Sequence, residues 1–187
     1  MTMPLLIAIG VIALILILMY NSLIARKNQV DNIFAGVDAA LKKRFDLIPN
    51  LIASVQEYMT HEKELLSNIT RLRTQGLKPN LSDTEKIALD QQVTSALGSL
   101  MISVENYPDL KANDNIMNLQ RTLNETESQI AAARRAYNQA VTDYNNIIEM
   151  FPTNYMASWM NLTRKEVFVI DEHERENVDV KELFNAS

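Results

Sequence analysis

No cysteine occurs among the 187 residues, which removes disulfides, thiolate metal sites, a cysteine nucleophile and lipidation on cysteine. Glycine and proline are scarce, at 4 and 5 residues. Few tight turns can be built from so little of either, so long helices are favoured over a sheet-rich fold. The same shortage of glycine leaves no loop to cradle a phosphate. Aromatic residues are only 6% of the chain, a further argument against strands. The formal net charge is -5, so no global basic field draws nucleic acid. No nucleophile-elbow pattern surrounds any serine, and no small-molecule substrate is evident.

What is present begins with an apolar run. Residues 3–20 read MPLLIAIGVIALILILMY, and no charged residue precedes Arg26. About 20 such residues at ~1.5 Å rise span the ~30 Å hydrocarbon core of a bilayer. Tyr20 and Asn21 suit the interface. A cleaved signal peptide would carry a basic n-region and a small-residue cleavage site, neither of which is here. A buried core helix would carry a polar stripe. The run is therefore expected to be a single-pass transmembrane helix. Arg26 and Lys27 follow it, so the positive-inside rule puts the N-terminus outside and the rest in the cytoplasm. The location expected is a bacterial inner membrane.

Apolar residues then recur at steps of three and four: Val30, Ile33, Phe34, Val37, Leu41, Phe45, Ile48, Ile52, Val55, Met59, Leu66 and Ile69. The pattern predicts one long helix from the membrane to about Arg73, with Pro49 as the place for a kink. There Pro49 frees a carbonyl, and Asn50 is a candidate to satisfy nearby backbone groups. Gly76, Pro79 and Asn80 mark a loop. Ser82 to Glu85 is a capping box for a second helix striped by Ile87, Val93, Leu97, Leu100 and Val104. A turn is expected at Tyr107-Pro108-Asp109. Asn113 or Asp114 can cap a third helix, striped from Ile116 to Phe151, on which Tyr137 and Tyr144 read as core. A last helical turn is expected near Trp159. The expectation is an all-α chain: an anchor over residues 1–25, a helical bundle over 26–168 and an acidic tail over 169–187. The transmembrane helix is continuous with an antiparallel bundle of three long helices plus a short fourth helix.

Residues 20–62, YNSLIARKNQVDNIFAGVDAALKKRFDLIPNLIASVQEYMTHE, and residues 105–154, ENYPDLKANDNIMNLQRTLNETESQIAAARRAYNQAVTDYNNIIEMFPTN, resemble the two signature stretches of the LemA family. The resemblance implies a single-span bacterial membrane protein with long antiparallel helices, no assigned catalytic residues and no cofactor. It also implies a setting beside membrane metalloproteases of the HtpX type. Where the family often carries a phenylalanine-rich segment before its acidic tail, this chain has Trp159 and then VFVIDEHE.

Two charged groups invite chemistry. Glu57, His61 and Glu64 can be drawn on one helix face as zinc ligands, but Leu65 stands where a zincin would place its second histidine, and His173 is the only other histidine. A solvated face is the simpler reading. Lys42-Lys43-Arg44 is a basic cluster well beyond the reach of lipid headgroups, and also reads as a solvated face. The functional expectation is a non-enzymatic membrane scaffold or adaptor that self-associates, with the bilayer and a second copy as partners. The alternatives are an accessory subunit of a metalloprotease of the HtpX type, or a metal-dependent enzyme around His61.

Overall fold

The computed structural model describes residues 2–168, and the acidic tail expected over 169–187 lies outside them. The described residues are all helical or irregular, as the composition predicts. Helix α1 runs from Thr2 to Val55, followed by α2 (Lys63–Gly76), α3 (Asp83–Val104), α4 (Pro108–Lys111), α5 (Asp114–Glu149) and α6 (Thr153–Trp159).

Two expectations need correction. The first helix does not reach Arg73: it ends at Val55, and the chain turns through residues 56–62 before α2. Met59 folds under this connection, its backbone N–H donating to the Val55 carbonyl at 2.9 Å, and is fully buried. The turn at Tyr107 is in part a helix, the short α4.

The directions of the helices follow from the pairs they make. Arg26 meets Asp143, Phe34 meets Tyr137 and Arg44 meets Glu127, so α5 descends as α1 ascends. Lys86 pairs with Asp38 at 2.7 Å, and Asp90 with Arg44, so α3 runs alongside α1 in the same sense and opposite to α5. Helix α2 returns along the end of α1, with Arg73 beside Phe45. The buried stripes of all four meet in one core. Tyr137 and Tyr144 are both buried in it, as expected.

The α1–α2 contact explains how α1 tolerates Pro49. A proline at position 49 cannot donate to the carbonyl four residues back, which is that of Phe45. Arg73 Nε donates to this oxygen at 3.0 Å. Arg73, and not Asn50, therefore takes up the carbonyl that proline frees. Gly76 closes α2 directly against the Phe45 ring, and a Cβ there would overlap the ring atoms. Arg73→Leu should cost about 1–3 kcal/mol by orphaning that carbonyl. In a Pro49→Ala background α1 regains its own bond, so the same substitution should cost much less. Unfolding curves for the four chains of this cycle measure the difference.

Helix α3 starts as the sequence predicts. Ser82 Oγ accepts from the Glu85 N–H at 3.2 Å, and the Glu85 carboxylate accepts from the Ser82 N–H at 2.8 Å. The Ser82 N–H first, and then the Ser82 hydroxyl, which donates to the same carboxylate at 2.7 Å, hold the Glu85 carboxyl below its usual range. At α5 the cap is Asn113, whose Oδ1 accepts from the Asn115 N–H at 2.9 Å.

The basic cluster is not uniformly solvated. Arg44 is 1% exposed and Asp90 is 0% exposed. One guanidinium nitrogen of Arg44 bonds Asp90; the other donates to Glu127 at 2.7 Å and to Thr94 at 2.9 Å. Arg134 holds the second oxygen of Asp90. One buried carboxylate thus ties α1, α3 and α5 together. The cost of desolvating such a cluster offsets much of the attraction within it, so its presence is weak evidence of net stabilisation.

After α6 the chain turns back in extended form along α5. Asn145 clasps both backbone groups of Lys165, each at 3.0 Å. Asn138, two turns earlier on α5, does the same for Phe168 at 2.9 and 2.8 Å. Tyr144 donates its hydroxyl to the Thr163 carbonyl at 3.0 Å. Phe168 is buried edge-on against Tyr137, with ring centroids 5.3 Å apart.

Candidate membrane-contact surface

Residues 2–18 of α1 are exposed all round, and only α6 comes beside them, near Ile15 and Leu16. The run that is long and apolar enough to cross a membrane is wholly outside the core. A core helix would be covered, so the exposed aliphatic surface needs an apolar medium or a partner. Coverage by protein begins near Met19, which is half-buried, and is complete at Leu23. Helix α1 continues through Ala25 and Arg26 without a break into the part that packs on α5.

Helix α6 flanks this boundary. Ala157 faces inward and is buried, while Phe151, Tyr155 and Trp159 are 80%, 72% and 77% exposed. Tyr155 and Trp159, four apart, share one side of α6, and Phe151 stands beside Tyr155 from the turn before it. Phe151 and Tyr155 meet edge to face at 6.2 Å. Between α6 and α1 lies an open apolar groove of about 600 Å³, walled by Ile15, Leu16 and Met19 on one side and by Tyr155, Met156 and Trp159 on the other. No charged residue stands between Glu149 and Arg164, and these two pair with each other. The exposed Glu149–Arg164 pair stands at the end of α5, next to α6, while Arg26 with Asp143 at 3.4 Å and Lys165 with Asp31 at 2.6 Å lie farther into the bundle.

The zinc reading from one helix face fails on geometry. Glu57 and His61 lie in the connection after α1, whereas Glu64 lies in the first turn of α2. Among the described residues no three His, Asp or Glu side chains approach closely enough to hold a metal ion. The aromatic side of α6 was only partly legible: Trp159 in a short helical turn was expected, but its grouping with Phe151 and Tyr155 was not. The uncharged run between Glu149 and Arg164 was the available signal.

A family model described as LemA family matches residues 33–181. Protein LemA of Metamycoplasma hominis is 31% identical over 177 residues, covering 95% of this chain and 81% of that protein. Magnetosome protein MamQ 2 of Paramagnetospirillum magneticum is 25% identical over 178 residues, covering 82% of this chain and 65% of that protein. Magnetosome protein MamQ of Magnetospirillum gryphiswaldense is 22% identical over 194 residues, covering 88% and 71%. None of these names designates an enzyme. The match of the family model to most of the chain and the likeness to Protein LemA agree with the signature stretches around RFDLIPNL and ENYPDL: the chain belongs to the LemA family.

Proposed function

We infer that the protein is a non-enzymatic scaffold or adaptor, anchored in a bacterial inner membrane by α1, with its N-terminus outside and its bundle in the cytoplasm. It self-associates and offers the bundle to other membrane proteins. The observation that carries this reading is the continuity of α1, which runs 54 residues from the apolar run to Val55. At ~1.5 Å per residue that is a rod of about 80 Å. An anchor that only tethers needs no such rod; a flexible linker suffices. A rod with no joint fixes how the bundle stands on the bilayer, which is what a device that sets the positions of others requires. Arg26 and Lys27 at the bundle end of the run support the orientation.

The test is the size of the complex in native membranes. Cross-linking followed by mild extraction should yield a homo-oligomer, alone or with other membrane proteins. A strictly monomeric chain that captures nothing would overturn the reading. A short Gly-Ser insertion after Ala25 should reduce the assembly while leaving membrane insertion intact; undiminished assembly would remove the argument from the rod.

A further inference from the structure

We propose that α6 is a second membrane element: its aromatic side enters the leaflet on the bundle side of the bilayer, and lipid acyl chains fill the groove between α6 and α1. The proposal rests on the reading of α1 as a membrane span, and four observations lead from that reading to α6.

The groove is continuous with the span, because Ile15, Leu16 and Met19, residues of the apolar run itself, form one of its walls. Whatever medium surrounds Ile12 and Leu14 therefore extends to Tyr155 and Trp159. The charge pattern agrees. From Arg26 to Met19 is about 10 Å along the helix axis, so α6 sits roughly that far to the membrane side of the Arg26–Asp143 pair. Helices that lie in the interface bury their apolar side by about 5–10 Å. Over that depth neither α1 nor the stretch from Met150 to Thr163 carries a charge, and the Glu149–Arg164 pair that borders it at the end of α5 is mutually neutralised.

Residue type agrees as well. Tyrosine and tryptophan combine an apolar ring with one polar group and concentrate where acyl chains meet headgroups. Three clustered aromatic side chains at 72–80% exposure are a poor surface to leave in water. Finally, α6 is held firmly enough to be carried to that depth. Ala157 is buried against the core, and the chain after α6 is fastened to α5 by Tyr144 and Asn145. The bilayer thus meets the protein at two places, a span and a short helix beside it.

Trp159 is the chain's only tryptophan, so the unaltered protein carries its own probe. The full chain is reconstituted in phosphatidylcholine–phosphatidylglycerol vesicles, with part of the phosphatidylcholine brominated near the top of its acyl chains. Emission is also titrated with aqueous acrylamide. Trp159 should emit to the blue of the denatured chain, lose most of its emission to brominated lipid and resist acrylamide. An L14W/W159F chain reports on the span in the same vesicles. If the L14W chain is quenched by brominated lipid but Trp159 answers only to acrylamide, α6 stands in water and the proposal is overturned. If Trp159 answers to neither while the L14W chain is quenched by lipid, protein covers the stripe, and the proposal is again overturned. If brominated lipid quenches neither tryptophan, the reading of α1 as a span fails and takes the proposal with it.

Discussion

Asp90→Ala should lower the free energy of unfolding by about 3–5 kcal/mol, the usual consequence of removing one partner from a buried ion cluster. Asp90 is fully buried between Arg44, itself 1% exposed, and Arg134. Without the carboxylate, Arg44 keeps Glu127, Thr94 and the residue-90 carbonyl, but its buried charge has lost its buried counter-ion. Arg134 is nearer the surface and can turn outward. Burial pushes the Asp90 carboxyl above its usual range, against the opposing pull of the Arg44 and Arg134 guanidiniums. Taking such charges out of water offsets much of their attraction, so the intact cluster is expected to add little net stability. That sets the expected result for a second chain. Arg44→Met combined with Asp90→Leu removes both charges and fills the space with apolar atoms, so it should recover most of the loss. Thermal unfolding in detergent micelles, followed by circular dichroism, measures both. A double variant no better than Asp90→Ala would mean that the attraction within the cluster outweighs the cost of desolvating it.

Tyr137→Ala should cost a similar amount, about 3–5 kcal/mol, as large aromatic truncations in cores do. The Tyr137 ring lies 5.3 Å from the Phe34 ring and 5.3 Å from the Phe168 ring, joining α1, α5 and the returning segment. Its loss opens a cavity and removes the surface on which Phe168 rests. Trypsin should then cut sooner after Arg164 and Lys165 than in the unaltered protein. Tyr137→Phe keeps the ring and should cost far less. The unaltered protein and Tyr137→Phe also differ in alkali. Burial first, then the charges of Asp83, Asp31 and Glu166, push the Tyr137 hydroxyl up from 10.0 to about 12. The fold favours the neutral phenol. Its contribution is whole below pH 10 and is lost as pH rises toward 12, while the unfolded chain already ionises. Tyr137→Phe should flatten that part of the pH profile.

Much of the architecture was legible in residue spacing. The stripes of α3 and α5, the Ser82 box and the Asn113 cap are local features, settled by neighbours in sequence. The break after Val55 was not legible. Met59 stands four residues beyond Val55 and keeps the helical spacing, and QEYMTHE offers no Gly or Pro to end a helix. What ends α1 there is tertiary: α2 folds back so that Leu66, Ile69 and Leu72 can be buried.

The ion cluster was legible in principle. Arg44 sits three residues after Leu41 and four before Ile48, Asp90 three after Ile87, and Arg134 four after Ile130. Each charge stands at a stripe position. The run Lys42-Lys43-Arg44 obscured this, because a series of like charges reads as one solvated face although only one of the three turns inward. The partnership of Arg73 with the Phe45 carbonyl had no sequence signal beyond Pro49, since nothing local says which distant donor will arrive.

The unbroken α1 carries a consequence for azimuth. Each helical residue turns the chain by about 100°, and α1 is held by α6 near Met19 and by α5 from Arg26 onward. The side of the span that faces α6 is therefore locked to one side of the bundle, with no swivel between them. Two such molecules that met through their spans would bring their bundles together in a single relative rotation, not a range of them. Deleting one residue between Tyr20 and Ser22 would turn the outer part of the span by roughly that angle while leaving its length and hydrophobicity almost unchanged. An assembly built from these molecules would inherit its handedness from the phase of one helix.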